Sequence, residues 1–143
     1  MDKYFVCQGC GHVEFGAAPE KCPVCISPGE KYAEDAAAVN PAEKEGKEKH
    51  VPVILVTKEC GLIPNDCSDI HIKIGSTPHP MQDDHWIQWI DVYNNKKYIA
   101  RHMLTPSMEP AVSVHIKRSL AGKLQVIESC NKHGRWTAEA ELL

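Results

Sequence analysis

The chain has 143 residues, 43% of them hydrophobic and 24% charged, with a formal net charge of −3 at pH 7. This is an ordinary globular composition, with room for one medium domain and a small appendage. The charge offers no basic face for nucleic acid, and no apolar run approaches the roughly 20 residues of a membrane span.

Seven cysteines and eight histidines are the unusual feature. The opening Met1-Asp2-Lys3-Tyr4 lacks the apolar core of a signal peptide, so a cytoplasmic chain is expected. In a reducing compartment cysteines serve as metal ligands or redox groups more often than as disulfides. The odd number leaves at least one thiol outside any set of pairs.

Residues 1–33 are punctuated by Gly, Pro and Cys and hold too few apolar residues for a core of their own. A unit this small folds around a metal or disulfides. Cys7, Cys10, Cys22 and Cys25 form a CxxC pair, an eleven-residue gap and a second CxxC pair. The short spacing lets two thiolates from one turn reach one metal. Gly11 follows the first pair, and Ile26 and Ser27 follow the second. Tight turns of this kind leave backbone N–H groups free to donate to the sulfurs. Four thiolates imply a tetrahedral iron or zinc site, and spacing does not separate the two metals. His12 is expected to be a surface histidine, since a fifth ligand would be surplus.

Residues 34–49 read EDAAAVNPAEKEGKEK, almost free of large apolar groups. They suggest a linker with a helical turn before Pro41. The expected division is a metal module over 1–33, a linker over 34–47 and a larger domain over 48–143.

Beyond residue 50, short segments rich in β-branched and aromatic residues recur: 51–57, 70–75, 85–93, 97–104, 111–117, 124–130 and 136–142. Ile70, Ile72 and Ile74 share one face, as do Val112, Val114 and Ile116, which is strand spacing. Asn94-Asn95 and Ala121-Gly122 sit where hairpin turns belong. The fold class is therefore mainly β: a seven-stranded, immunoglobulin-like antiparallel sandwich preceded by the small metal module. No internal repeat is present.

Residues 4–25, YFVCQGCGHVEFGAAPEKCPVC, resemble the rubredoxin-like module of rubrerythrins. They depart from desulforedoxin, whose second pair is two adjacent cysteines. Three further motifs stand together: Glu48-Lys49-His50-Val51-Pro52; His79-Pro80-Met81 continuing to His85-Trp86-Ile87-Gln88-Trp89-Ile90; and Cys130-Asn131-Lys132-His133-Gly134-Arg135-Trp136. Over roughly residues 46–143 these resemble the superoxide reductase family, also called neelaredoxin or, with an N-terminal metal module, desulfoferrodoxin.

The resemblance implies iron ligands at His50, His79, His85 and His133, an axial Cys130, and a Glu48-Lys49 pair beside the iron. Five ligands exceed what structural zinc takes. Four imidazoles and a thiolate suit iron and leave a sixth position open. A thiolate pushes electron density through the metal, as in thiolate-ligated haem. That favours donation of one electron to superoxide and, after protonation, release of hydrogen peroxide. Lys49 would steer the anion to the site, although it also lies in a charged run. Glu48 would close the open position after oxidation.

The implied activity is reduction of superoxide with electrons from an external rubredoxin-like donor, in a homo-oligomer. A non-catalytic iron electron carrier, a metal store or sensor, and a dismutase are the alternatives. His71, His102 and His115 lie outside the motifs and are expected to be ordinary surface or core residues. Cys60 and Cys67 are expected to be free thiols or a redox-labile pair, with no further ligands evident near them.

Overall fold

The computed structural model describes residues 3–120 and 122–142. Strands β1 (Tyr4–Cys7), β2 (Val13–Phe15) and β3 (Tyr32–Glu34) form a small antiparallel sheet in the order β2-β1-β3. One helical turn, α1 (Lys47–His50), leads into β4 (Pro52–Thr57), β5 (Ser68–Ile74), β6 (Ile87–Asn94), β7 (Lys97–Met103), β8 (Ala111–Ile116), β9 (Gly122–Cys130) and β10 (Gly134–Leu142). These seven strands form two antiparallel sheets, β10-β9-β6-β7 and β4-β5-β8. The protein is mainly β, as the alternating sequence implies.

The alternation of β5 and β8 follows from having one face inside and one in solvent. Ile70, Ile72 and Ile74 are buried, and Val114 and Ile116 join them from β8. They pack against Ile90 and Val92 of β6, Leu124 and Val126 of β9 and Leu142 of β10. The β6–β7 hairpin turns at Asn95 and Lys96, both left-handed at φ 52° and 66°, as a two-residue turn with matching twist requires. The hairpin expected at Ala121-Gly122 does not exist, because β8 and β9 lie in different sheets. Ala121 itself lies outside the described residues. The one helical turn of this region is α1, after Pro41 rather than before it.

Strands β6 and β9 are buried on both faces, which erases their alternation. Their outer face is covered by the N-terminal sheet: Val6 and Val13 pack with Trp89, Tyr93, Ile127 and Ala38. The module thus completes its core with residues of the sandwich. Residues 38–40 lie against the same surface, where the Asn40 N–H donates to the Arg135 carbonyl at 2.8 Å.

His12 corrects the expectation of a surface residue: it is fully buried. Its Nδ1 lies 3.0 Å from Asp91 Oδ2 and its Nε2 2.6 Å from Glu14 Oε2. Arg101 donates to the same Asp91 carboxylate through Nε at 2.6 Å and Nη2 at 2.8 Å, and through Nη1 to the Cys10 carbonyl at 3.0 Å. Burial pulls the His12 imidazole down, but Asp91 and Glu14 outweigh it and hold it above the ordinary histidine value. This contribution to stability is therefore full below about pH 6.5 and is lost as pH rises through the raised value.

Candidate metal centre

Two groups of side chains able to ligate a metal correspond to the two motif sets. In the first, Cys7 Sγ lies 3.6 Å from Cys25 Sγ, and Cys10 Sγ lies 3.6 Å from Cys22 Sγ. The two knuckles repeat one geometry: the Gly11 N–H donates to the Cys7 carbonyl at 2.8 Å, and the Ile26 N–H to the Cys22 carbonyl at 3.0 Å. Backbone N–H groups of Val24 and Cys25 donate to Cys22 Sγ at 3.4 and 3.5 Å. Hydrogen bonding from Ser27 holds the Cys25 thiol down at about 6. Four converging sulfurs supplied with N–H donors fit a tetrahedral metal.

The turn after each pair is left-handed, at φ 80° for Gly11 and 67° for Ile26. A β-branched residue is strained there, and Ile26 is 71% exposed, so it gains little from packing. Ile26→Gly is expected to stabilise the metal-loaded protein by about 1 kcal/mol, strain relief exceeding the entropic cost of glycine. A denaturant midpoint that falls instead would contradict this.

The second group is assembled from three places. His50 ends α1, His79 and His85 come from the β5–β6 connection, and Cys130 and His133 bracket the β9–β10 turn. The imidazoles form a closed cycle, with centroid separations of 4.8 Å (His50–His79), 4.6 Å (His79–His85), 5.0 Å (His85–His133) and 5.1 Å (His133–His50). Neighbouring rings are tilted by 70–80°. Cys130 Sγ lies 3.6 Å from His133 Nδ1. It and one ring nitrogen each of His50, His85 and His133 lie within 4.8 Å of one another. His79 joins through its ring contacts with His50 and His85.

Hydrogen bonds fix which nitrogen faces inward. His50 Nδ1 is 2.8 Å from the Gly46 carbonyl, and His79 Nδ1 is 2.7 Å from the Pro80 carbonyl. Each Nδ1 therefore carries the proton, leaving Nε2 a bare lone pair. The Nε2 atoms of His50, His79 and His85 are all buried without a partner. Buried polar atoms are rarely left so, and three converging acceptors call for a cation. Burial pushes these imidazoles below the ordinary range, His79 to about 4, so the rings are neutral at pH 7. Burial pushes the Cys130 thiol up, so a thiolate there needs a bound cation. The residues present fit a metal.

Other residues hold this arrangement in ways the motifs alone do not reveal. Trp136 stacks on His50 at 4.7 Å and donates through Nε1 to the His133 carbonyl at 3.1 Å. Asn40 donates to the same carbonyl at 2.9 Å. Asn131 ties the two ligand loops: Oδ1 accepts from the Trp86 N–H at 2.9 Å, and Nδ2 donates to the Asp84 carbonyl at 3.0 Å. At Gly75 a Cβ would fall 2.7 Å from the Glu48 carbonyl oxygen, so only glycine lets the backbone of α1 rest there. Glu128, two residues before Cys130 on β9, is fully buried with neither carboxylate oxygen partnered. Burial raises its carboxyl well above the usual range.

Glu48 and Lys49 are exposed on α1. With Lys44, Lys132, His50 and His133 they line a cleft of about 560 Å³. The site thus has a buried thiol on its core side and a lysine-bearing cleft towards solvent.

A family model described as Desulfoferrodoxin matches residues 42–139. The chain is 37% identical over 109 residues to a putative superoxide reductase of Methanocaldococcus jannaschii, covering 70% of this chain and 90% of that one. It is 41% identical over 93 residues to a desulfoferrodoxin of Syntrophotalea carbinolica, covering 65% of this chain and 64% of that protein, just under two thirds of the relative's length. The crystal structure of the superoxide reductase from Treponema pallidum matches with a TM-score of 0.63 and 26% identity, over 96% of this chain and 98% of that one.

Proposed function

This chain belongs to the desulfoferrodoxin family, and on that premise we propose that it is a superoxide reductase, reducing superoxide by one electron to hydrogen peroxide. The family binds iron, and relatives named superoxide reductase make an oxidoreductase the general expectation. The observation that carries the reading is the closed cycle of four imidazoles, three with bare inward Nε2 atoms, set against the buried Cys130. In this proposal His50, His79, His85, His133 and Cys130 hold one iron, which supplies the electron when bound. Cys7, Cys10, Cys22 and Cys25 hold a second metal, iron or zinc, peripheral to the reaction.

The chain's own residues supply recognition. Lys49, Lys44 and Lys132 put positive charge around the cleft, which concentrates a small anion and raises its on-rate. Glu48 places a carboxylate in the same cleft, a donor suited to the oxidised metal. Two protons per superoxide enter from solvent through the open side. An external rubredoxin-like donor, a homo-oligomer and a cytoplasmic setting belong to the same proposal. Among the described residues, no helix is long and apolar enough to cross a membrane.

Product stoichiometry tests this reading. Reduced, iron-loaded protein mixed with superoxide should yield one hydrogen peroxide per superoxide consumed and no dioxygen. One peroxide per two superoxides, with dioxygen evolved, would make it a dismutase, and the absence of fast reaction would leave an electron carrier. Lys49→Ala should slow the second-order step and flatten its dependence on ionic strength, with iron content unchanged. An unchanged rate and salt slope would return Lys49 to an ordinary solvated role.

A further inference from the structure

Cys60 and Cys67 lie in the connection between β4 and β5, at the end of β5 remote from the histidine cycle. The seven residues of β5 separate the two ends by about 20 Å. Here the structure brings in a residue that the sequence leaves unconnected. Asp69 of β5 pairs with His115 of β8, which sets the imidazole beside both thiols. His115 Nδ1 lies 3.1 Å from Cys60 Sγ and 3.7 Å from Cys67 Sγ. The three ligand atoms all lie within 4.8 Å of one another.

Two further observations point to a metal rather than to an accidental meeting of thiols. Backbone N–H groups of Leu62 and Ile63 donate to Cys60 Sγ at 3.4 and 3.3 Å. These are residues i+2 and i+3 from the cysteine, the pattern that Val24 and Cys25 make to Cys22 in the four-cysteine cluster. Such donors stabilise a metal-bound thiolate. In addition, Asp69 Oδ1 is buried without a hydrogen-bond partner, 3.8 Å from His115 Nδ1. Its other oxygen lies 3.5 Å from His71 Nε2, which orients the carboxylate. A disulfide between Cys60 and Cys67 would leave both the imidazole and this bare oxygen without a role.

We propose that Cys60, Cys67 and His115, with Asp69 as fourth donor, form a third metal site for a divalent cation of the zinc type. Two thiolates, one imidazole and one carboxylate are a four-coordinate donor set for that class. Cys67 is buried and Cys60 half-buried, while His115 is exposed, so the ion would enter from the His115 side. The site would tie the loop over 58–67 to β5 and β8, far from the proposed iron.

Cobalt(II) is the probe. It is added in one-equivalent steps, without oxygen, to full-length protein whose other two sites already hold ferrous iron. The wild type should take up one cobalt per chain, with a thiolate-to-cobalt band in the near ultraviolet and the intense visible bands of a tetrahedral ion, all bleached by added zinc. Cys60→Ser, Cys67→Ser and His115→Ala should each weaken uptake at least ~10-fold, Asp69→Asn should weaken it to a lesser degree, and all should leave iron content unchanged. The proposal is overturned if the iron-loaded wild type takes up no further cobalt. It is equally overturned if the bands persist in the Cys60→Ser/Cys67→Ser double variant.

Discussion

Cys130→Ser is expected to abolish the visible sulfur-to-iron charge-transfer band of the histidine-ringed site, read in the Cys22→Ser/Cys25→Ser background, where the four-cysteine cluster adds no thiolate-to-iron bands of its own. It should also lower superoxide reduction by at least ~100-fold, beyond the 10–100-fold typical of lost outer partners of a metal ligand. Cys130 sits at the core side of the imidazole cycle, 3% exposed and 3.6 Å from His133. Serine is a harder and far less acidic ligand, so it neither gives the band nor tunes the metal to donate an electron. Four imidazoles remain, so iron content should fall only in part. Cys60→Ser and Cys67→Ser should keep both band and rate, because those thiols belong to the other end of β5. A band retained in Cys130→Ser but lost in either of these would refute Cys130 as the sulfur donor of that site. Visible absorption and stopped-flow kinetics on the three variants decide it.

The largest effect on stability is expected from Asp91→Ala, at about 3–5 kcal/mol. The Asp91 carboxylate is fully buried and receives two bonds from Arg101 and one contact from His12. Its removal leaves a buried guanidinium uncompensated, stacked 3.9 Å over Trp89 and still bonded to the Cys10 carbonyl. The cost falls on the contact between the N-terminal sheet and the sandwich, so the module's amides should lose hydrogen-exchange protection before those of β5 and β8. Denaturant unfolding and exchange together check this. A loss below 1 kcal/mol, or one spread evenly over the chain, would mean that Asp91 does not join the two parts.

These two residues also mark what the sequence reveals and what it hides. The alternation of Ile70, Ile72 and Ile74 is legible because β5 has one wet face. Strands β6 and β9 lose that signal, since the N-terminal sheet covers the face that would have been polar. His12 misleads for the same reason: its partner Asp91 stands 79 residues away. The four N-terminal cysteines announce themselves by local spacing. The histidine cycle draws on three separate segments, so only family resemblance joins them in advance. The inward nitrogens, the Trp136 stack, the Asn131 clamp and the buried Glu128 need coordinates. So does the approach of His115 to Cys60 and Cys67, which the β5–β8 register and the fold of the 58–67 loop create together.

Metal analysis of the Cys22→Ser/Cys25→Ser double variant tests the central claim most directly, because it removes the four-cysteine cluster from the signal. After loading with iron, the variant should hold one iron per chain. The X-ray absorption of that iron should show four nitrogen neighbours and one sulfur, and its reaction with superoxide should be as fast as that of the unaltered protein. Failure to retain iron, a first shell without sulfur, or an iron site of that composition that does not reduce superoxide would contradict it.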